Sequence, residues 1–313
     1  MKKIKLNCAA TMEETFADFL TSRKAKGLAD KTLQSYEQQF RAVARHLDVK
    51  TDIAMLQKAD LDSMIVSMRE AGLSSNSINS YTRTLKSFFS WCNEQGITRL
   101  NIPLYKAEET VKETYSDAEL SVLLKKPDIR KATFAEYRDW VIINFLLNCG
   151  CRAATVRAIQ IRDVDLDGGV VFYRHTKNRK TQVIPLCSPM IAILREYQRY
   201  RSGDSTDYLF CTDTGSQLTE NGLRQSIARY NARRGVQKTS IHLFRHTFAR
   251  KYLIDCGGDA FTLQKLLGHS TLAMTKHYCA IYDADLTKNY DNFSPLAQMK
   301  AGSAKIKMSD KRR

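Results

Sequence analysis

No run of apolar residues in the 313-residue chain approaches the ~18–20 that a membrane-spanning helix requires, which excludes an integral helical membrane protein. The basic opening Met1-Lys2-Lys3 is followed by no apolar stretch of the kind a secretion signal carries, so a cytoplasmic location is expected. Eight cysteines occur without a single Cys-x-x-Cys pair, and Cys149-Gly150-Cys151 is too tight for a zinc knuckle. The thiols read as reduced, mostly small core residues. A His-Glu-x-x-His motif is missing, as is a cluster of Asp and Glu able to hold two metal ions. The expectation is chemistry without metal or cofactor. Internal repeats and low-complexity tracts are also lacking, which excludes repeat architectures and wholesale disorder.

Acid is in short supply: 33 Asp and Glu face 49 Lys and Arg, for a net charge of +16. The excess is uneven, with residues 1–113 carrying a net +3 and residues 114–313 a net +13. A folded domain that basic repels itself unless a polyanion offsets the charge, and nucleic acid is the common one. A merely soluble basic protein is the plainer reading of charge alone. The 43% apolar content can fill real cores, and the length suits two ordinary domains at ~100–200 residues each.

Residues 11–97 show helical periodicity only. Phe16, Phe19 and Leu20 mark one helix that Gly27 can stop; Asp30 can cap a second carrying Leu33, Tyr36, Phe40 and Val43. Asp60 opens a third, ended by Gly72, and Ser74 or Ser75 caps a fourth with Ile78, Leu85, Phe88 and Phe89. Around Pro103 the periodicity breaks. The domains expected are a helical one over 1–100, a linker over 101–113, a larger one over 114–293 and a tail over 294–313. In the second domain, Ser116 and Glu119 form a capping box, and Tyr137–Asn148 reads as a buried helix. Only 159–186 looks like strand: Val170–Tyr173, a polar turn at Thr176–Lys180, then Gln182–Leu186, with Pro185 arguing for a sheet edge. The fold class is thus mainly α with a small antiparallel sheet.

Polar residues concentrate in three places where core would otherwise continue. Arg152 follows a buried helix and Gly150; His242 and Arg245 stand at i, i+3 on a helix that Phe244 and Phe248 can anchor; and Leu267-Gly268-His269-Ser270 precedes Tyr278 by nine residues from the histidine. Singly, each has a plain structural reading. Arg152 can serve a helix dipole, His269 can be a helix-terminal hydrogen bonder, and any tyrosine can be core. His242 and His246 at i, i+4 lack the glutamate of a zinc protease.

Jointly, Gly150-Cys151-Arg152, Lys177 in a β-turn, His242-Leu243-Phe244-Arg245-His246, Leu267-Gly268-His269-Ser270 and Tyr278 resemble the tyrosine recombinase (phage integrase, Xer-type) family. The resemblance covers about residues 11–290, and Lys26–Tyr36 is similar to the usual opening of that family's SAM-like core-binding domain. One departure is clear: Thr155 stands where family members usually have a glutamate, a buttress of the site.

The resemblance implies a helical DNA-binding domain joined to an α+β catalytic domain, the two clamping duplex DNA at specific recombination sites. It implies a homotetramer working through a Holliday junction in integration or excision of a mobile element, or in dimer resolution, with an accessory DNA-bending protein as a further partner. Arg152 and Arg245 would clamp the scissile phosphate, Lys177 would be general acid, His242 and His269 would hydrogen-bond the phosphate, and Tyr278 would be the nucleophile. Tyr282 is the local competitor, at the wrong spacing. A type IB topoisomerase-like nicking-closing enzyme uses the same residue types, and a non-catalytic DNA-binding relative is the other alternative. Beyond the nucleophile, Leu286, Tyr290, Phe293, Leu296 and Met299 form an apolar stripe that docks either on its own domain or on a neighbouring protomer.

Overall fold

The computed structural model describes residues 10–103, 113–174 and 181–276. Lys177, Tyr278, Tyr282 and the apolar stripe over 284–299 lie outside those residues, as does most of the expected linker. The chain divides into two units, Met1–Val111 and Lys112–Arg313. No helix among the described residues is long and apolar enough to cross a membrane.

The first unit is built from α1 (Met12–Ala25), α2 (Asp30–Val43), α3 (Lys58–Glu70) and α4 (Ser75–Glu94). Helix α1 begins at Met12, ahead of its first aromatic residue, because Thr11 and Glu14 satisfy each other's backbone N–H groups in a capping box. Two expected starts shift for similar reasons. Asp30 is the first helical residue of α2 and caps nothing, its carboxylate instead sitting in the positive first turn. Asp60 lies in the first turn of α3, where its Oδ2 accepts the Gln57 N–H at 2.8 Å. Ser74 caps α4, accepting the Ser77 N–H.

These helices close on an aromatic centre. The Phe16 and Phe40 rings stack at 3.8 Å, and Phe88 meets Phe16 and Phe19 edge-on at 5.2 and 5.6 Å. Met12, Met64, Met68, Leu85 and Cys92 fill the space around them.

The second unit starts with α5 (Asp117–Leu123), opened by the Ser116–Glu119 capping box, and then α6 (Phe134–Cys149). Val141, Ile142, Ile143, Phe145 and Leu146 are all fully buried, so α6 is enclosed on every side and forms the axis of the unit. A short α7 (Ala153–Ala158) and a 3₁₀ turn (Ile161–Asp163) lead into the sheet. Strands β1 (Val164–Asp165), β2 (Val170–Tyr173) and β3 (Gln182–Pro185) run antiparallel in the order β1-β2-β3, which leaves Pro185 on an edge strand. Helices α8 (Ser188–Tyr200), α9 (Glu220–Arg233) and α10 (Ile241–Arg250) pack around α6 or beside it, and α10 widens into a π turn at Lys251–Asp255. Helices α11 (Ala260–Leu267) and α12 (Leu272–Lys276) complete the described chain.

Polar ties set the angles of these helices. Arg138 on α6 donates to Asp139 (2.7 Å), to Ser226 on α9 (2.9 Å) and to the Cys211 carbonyl (2.8 Å), all of them buried. Burial pushes the Asp139 carboxyl up, and the adjacent guanidinium opposes that shift. Tyr115 fastens the start of the unit to α10: its N–H donates to Thr247 Oγ1 at 2.9 Å and its ring lies 4.4 Å from Phe244.

The two tryptophans fall one in each unit, so each can report on its own. In a Trp140→Phe background, urea unfolding followed by Trp91 fluorescence should show Phe88→Ala costing about 3–5 kcal/mol, the usual loss for a large buried ring. A cost below about 1 kcal/mol would show that the aromatic centre does not hold the unit together.

Candidate active site

Three elements converge on Gly150. Helix α6 ends there because Gly150 takes the left-handed conformation (φ +57°), in which its N–H closes the helix on the Leu146 carbonyl at 2.8 Å. Glycine is required twice over. The backbone is in a region that disfavours side chains, and a Cβ would overlap the Phe248 ring on α10 and approach Leu267 Cδ2 at the end of α11 to 2.9 Å. The turn that follows aims the chain away from α6 and makes Arg152 the N-cap residue of α7, half-buried. No side chain among the described residues takes up the Arg152 guanidinium.

Arg245 occupies the other side of this junction. It is 4% exposed, and its donors are directed by carbonyls: Nη1 donates to Gly150 O at 2.9 Å and Nη2 to Leu267 O at 3.0 Å. Nη2 also lies 2.7 Å from His269 Nε2. A guanidinium can only donate, so Nε2 is the acceptor and the ring proton sits on Nδ1, which faces Thr275 Oγ1 at 2.8 Å. His269 is itself 9% exposed. Gly268 caps α11 in the left-handed conformation (φ +64°) and turns the histidine back toward α10.

His242 lies on α10 three residues before Arg245, on the exposed side of the helix. Four of the six sequence-derived candidates are therefore described, and Arg152, Arg245 and His269 belong to one junction with His242 one helical turn away. Lys177 and Tyr278 are outside the described residues.

Sequence reasoning missed several residues that hold this site. Thr275 Oγ1 lies 2.8 Å from His269 Nδ1 and accepts its proton. Gln182, the first residue of β3, donates through Nε2 to the carbonyls of Leu266 (3.0 Å) and Lys265, at the end of α11. Asp163 accepts Arg174 Nε at 2.6 Å. Gln182 reaches 84 residues along the chain, where no local pattern marks it, whereas Asp163 reaches Arg174 eleven residues on and closes a capping box with Gln160. Behind Gly150, Cys149, Cys151 and Tyr173 are buried together; burial pushes the Cys151 thiol and the Tyr173 hydroxyl well up, so both stay neutral and form a wall. Tyr173 is thereby unsuited to act as a nucleophile.

Known proteins resemble the chain in both units. The chain matches the phage integrase family over residues 116–285 and the phage integrase N-terminal SAM-like domain over residues 14–96. It is 26% identical over 299 residues to tyrosine recombinase XerD of Staphylococcus haemolyticus, covering 92% of this chain and 99% of the relative. It is 25% identical over 273 residues to tyrosine recombinase XerC of Xanthomonas campestris, covering 86% and 84%. Among solved structures, the Tn1549 transposon integrase in complex with transposon right end DNA superposes with a TM-score of 0.75 at 19% identity, over 91% of this chain and 99% of that one. A lambda integrase tetramer bound to a Holliday junction superposes with a TM-score of 0.70 at 16% identity, over 87% and 78%.

The Gly150 junction makes a sharp demand on sequence. Gly150→Ala should lower unfolding stability by at least about 2 kcal/mol, from left-handed strain of ~1–2 kcal/mol plus the overlap with Phe248. Adding Phe248→Ala should restore none of the backbone strain. A Gly150→Ala protein as stable as wild type in urea melts would show that the turn is not held as described.

Proposed function

The chain belongs to the phage integrase family and is a site-specific DNA recombinase of the tyrosine recombinase type, and from that premise we propose how its own residues carry the reaction. The observation that supports the reading best is the buried Arg245, aimed by Gly150 O, Leu267 O and His269, with Arg152 two residues beyond Gly150. Two permanently charged guanidiniums suit a phosphodiester that gains negative charge in its transition state.

In this reading the Tyr278 hydroxyl oxygen attacks the scissile phosphorus, in line with the leaving 5′ oxygen. The new bond is a 3′-phosphotyrosine, and the broken one is P–O5′. Lys177 gives its proton to the departing 5′ oxygen. The tyrosine proton passes to an imidazole, that of His242 or of His269. His269, 2.7 Å from the Arg245 guanidinium, also serves to orient it. Attack of a free 5′-hydroxyl on the phosphotyrosine reverses every step, so strands rejoin without ATP. Arginine in the place of metal ions makes the reaction independent of divalent cations.

The likeness to a tetramer on a Holliday junction supports assembly of four protomers on paired sites, with integration or excision of a mobile element, or dimer resolution, as the biological product. An accessory DNA-bending protein is a further partner on this reading. The 284–299 stripe is then the segment that joins neighbouring protomers.

A nicked suicide substrate should leave an SDS-resistant protein–DNA adduct with wild type and with Tyr282→Phe, in EDTA, and none with Tyr278→Phe. An adduct that survives Tyr278→Phe, or strict dependence on Mg²⁺, sinks the assignment.

Binding should respond to salt in proportion to the phosphates neutralised. For roughly 6–10 contacts, affinity should fall by ~10³–10⁵ between 50 and 200 mM salt. Most of that slope should come from the unit with the net +13, read by charge-reversal variants in a filter-binding series. A flat salt profile for the full chain contradicts DNA binding through a basic surface.

A further inference from the structure

We infer that Gln182 and Asp163 are positioning residues for strand cleavage, fixing the two ends of the segment that carries Lys177. The inference rests on the assignment of Lys177 as general acid. Strand β2 leaves the sheet at Tyr173 and β3 joins it at Gln182, and these two residues face each other in the register. Lys177 belongs to the connection between them. A proton donor must be held to within a fraction of an ångström of its target, because a 1 Å misplacement can cost about 10²-fold in rate. Pairing of Tyr173 with Gln182 fixes how far apart the ends are. It does not fix how the sheet stands against the helices that carry Arg245 and His269.

Gln182 supplies that second constraint. The last carbonyls of any helix lack partners within it. At the end of α11, the Lys265 and Leu266 carbonyls accept from Gln182 Nε2, and the next, Leu267 O, accepts from Arg245. One helix end therefore aligns both the start of β3 and the buried arginine, and His269 follows two residues after Leu267. Gly268 leaves the room for this: a Cβ there would come within 2.7 Å of Gln182 Oε1.

At the other end, Arg174 directly follows β2, and its Nε donates to Asp163 Oδ1 at 2.6 Å. Exposed ion pairs contribute little because both side chains must be ordered. Here the acid is ordered beforehand: the Asp163 side chain is 3% exposed, and its Oδ2 accepts the Gln160 N–H at 2.9 Å. Only Arg174, half-exposed, has to come to it. Thr155, Tyr173 and Arg174 line one cleft with Asp163, so the anchor stands beside α7, the helix that Arg152 opens.

The test compares two suicide substrates, one with oxygen and one with sulfur at the bridging 5′ position, since a thiolate leaves without needing a proton. On the oxygen substrate, Gln182→Leu and Asp163→Asn should each cleave ~10–100-fold more slowly than wild type, a misplacement effect. On the sulfur substrate both should approach wild type, as Lys177→Ala also should. Gln182→Leu combined with Lys177→Ala should be no slower on oxygen than Lys177→Ala alone, because the two act through one group. Arg174→Gln removes the same ion pair from its exposed side and should match Asp163→Asn, which keeps the test valid if the buried substitution impairs folding. Equal slowing on both substrates, with Lys177→Ala rescued by sulfur, overturns the inference while leaving the general acid in place. Failure of sulfur to rescue Lys177→Ala removes the general-acid assignment itself, and the inference falls with it. Wild-type rates for the Gln182 and Asp163 variants overturn it directly.

Discussion

The carbonyl of Gly150 accepting from Arg245 is the contact on which the arrangement of the second unit turns. A left-handed residue ends the buried α6, exposes that carbonyl, and leaves space for the Phe248 ring and the end of α11 to close in. A guanidinium buried to 4% exposure is costly unless its donors are met, and carbonyls from two helix ends each accept one of them. Carbonyl dipoles hold the side chain without bringing a formal opposite charge of their own.

His269 extends the same logic. Because Arg245 can only donate, the imidazole beside it is held with its acceptor nitrogen toward the arginine and its proton toward Thr275. The histidine of the Leu-Gly-His-Ser motif is thus a structural partner of the arginine in this state, and the two act as one group. The Cys151 thiol and the Tyr173 hydroxyl behind them are neutral for a different reason, since burial disfavours their charged forms. A buried back of neutral groups adds no charge that would oppose the arginines.

The two units differ in what they ask of their cores. The first is held by an aromatic cluster with capping boxes at the starts of α1 and α3, and the polar side chains it buries, Thr15, Asn79, Thr82 and Thr84, carry no charge. The second buries an ion pair, Arg138–Asp139, matched to Ser226 88 residues away, and adds the half-buried Gln182 bridge to the end of α11. Such matching specifies one packing arrangement, which suits a unit whose task is to hold several charged groups in register.

Much of this was readable along the chain, and the physical reason is locality. Helical spacing, the Ser116–Glu119 box, Gly27 and Gly72 as stops, and the strands on either side of 174–181 all depend on neighbours within a few residues. The starts of α2 and α3 lie within three residues of where Asp30 and Asp60 put them, since several polar residues near each start compete to cap it. The motif residues Arg152, His242, Arg245 and His269 stand out because charge interrupts an apolar pattern. Their partners do not. Thr275, Gln182 and Asp163 are ordinary polar residues in sequence, and their roles arise where helix ends and strand ends meet across as many as 84 positions of chain. Residue type and spacing can name the groups that do chemistry. Which carbonyl aims them, which tautomer they adopt and what holds a strand end in place depend on packing, because an unsatisfied donor finds its partner in space and not along the chain.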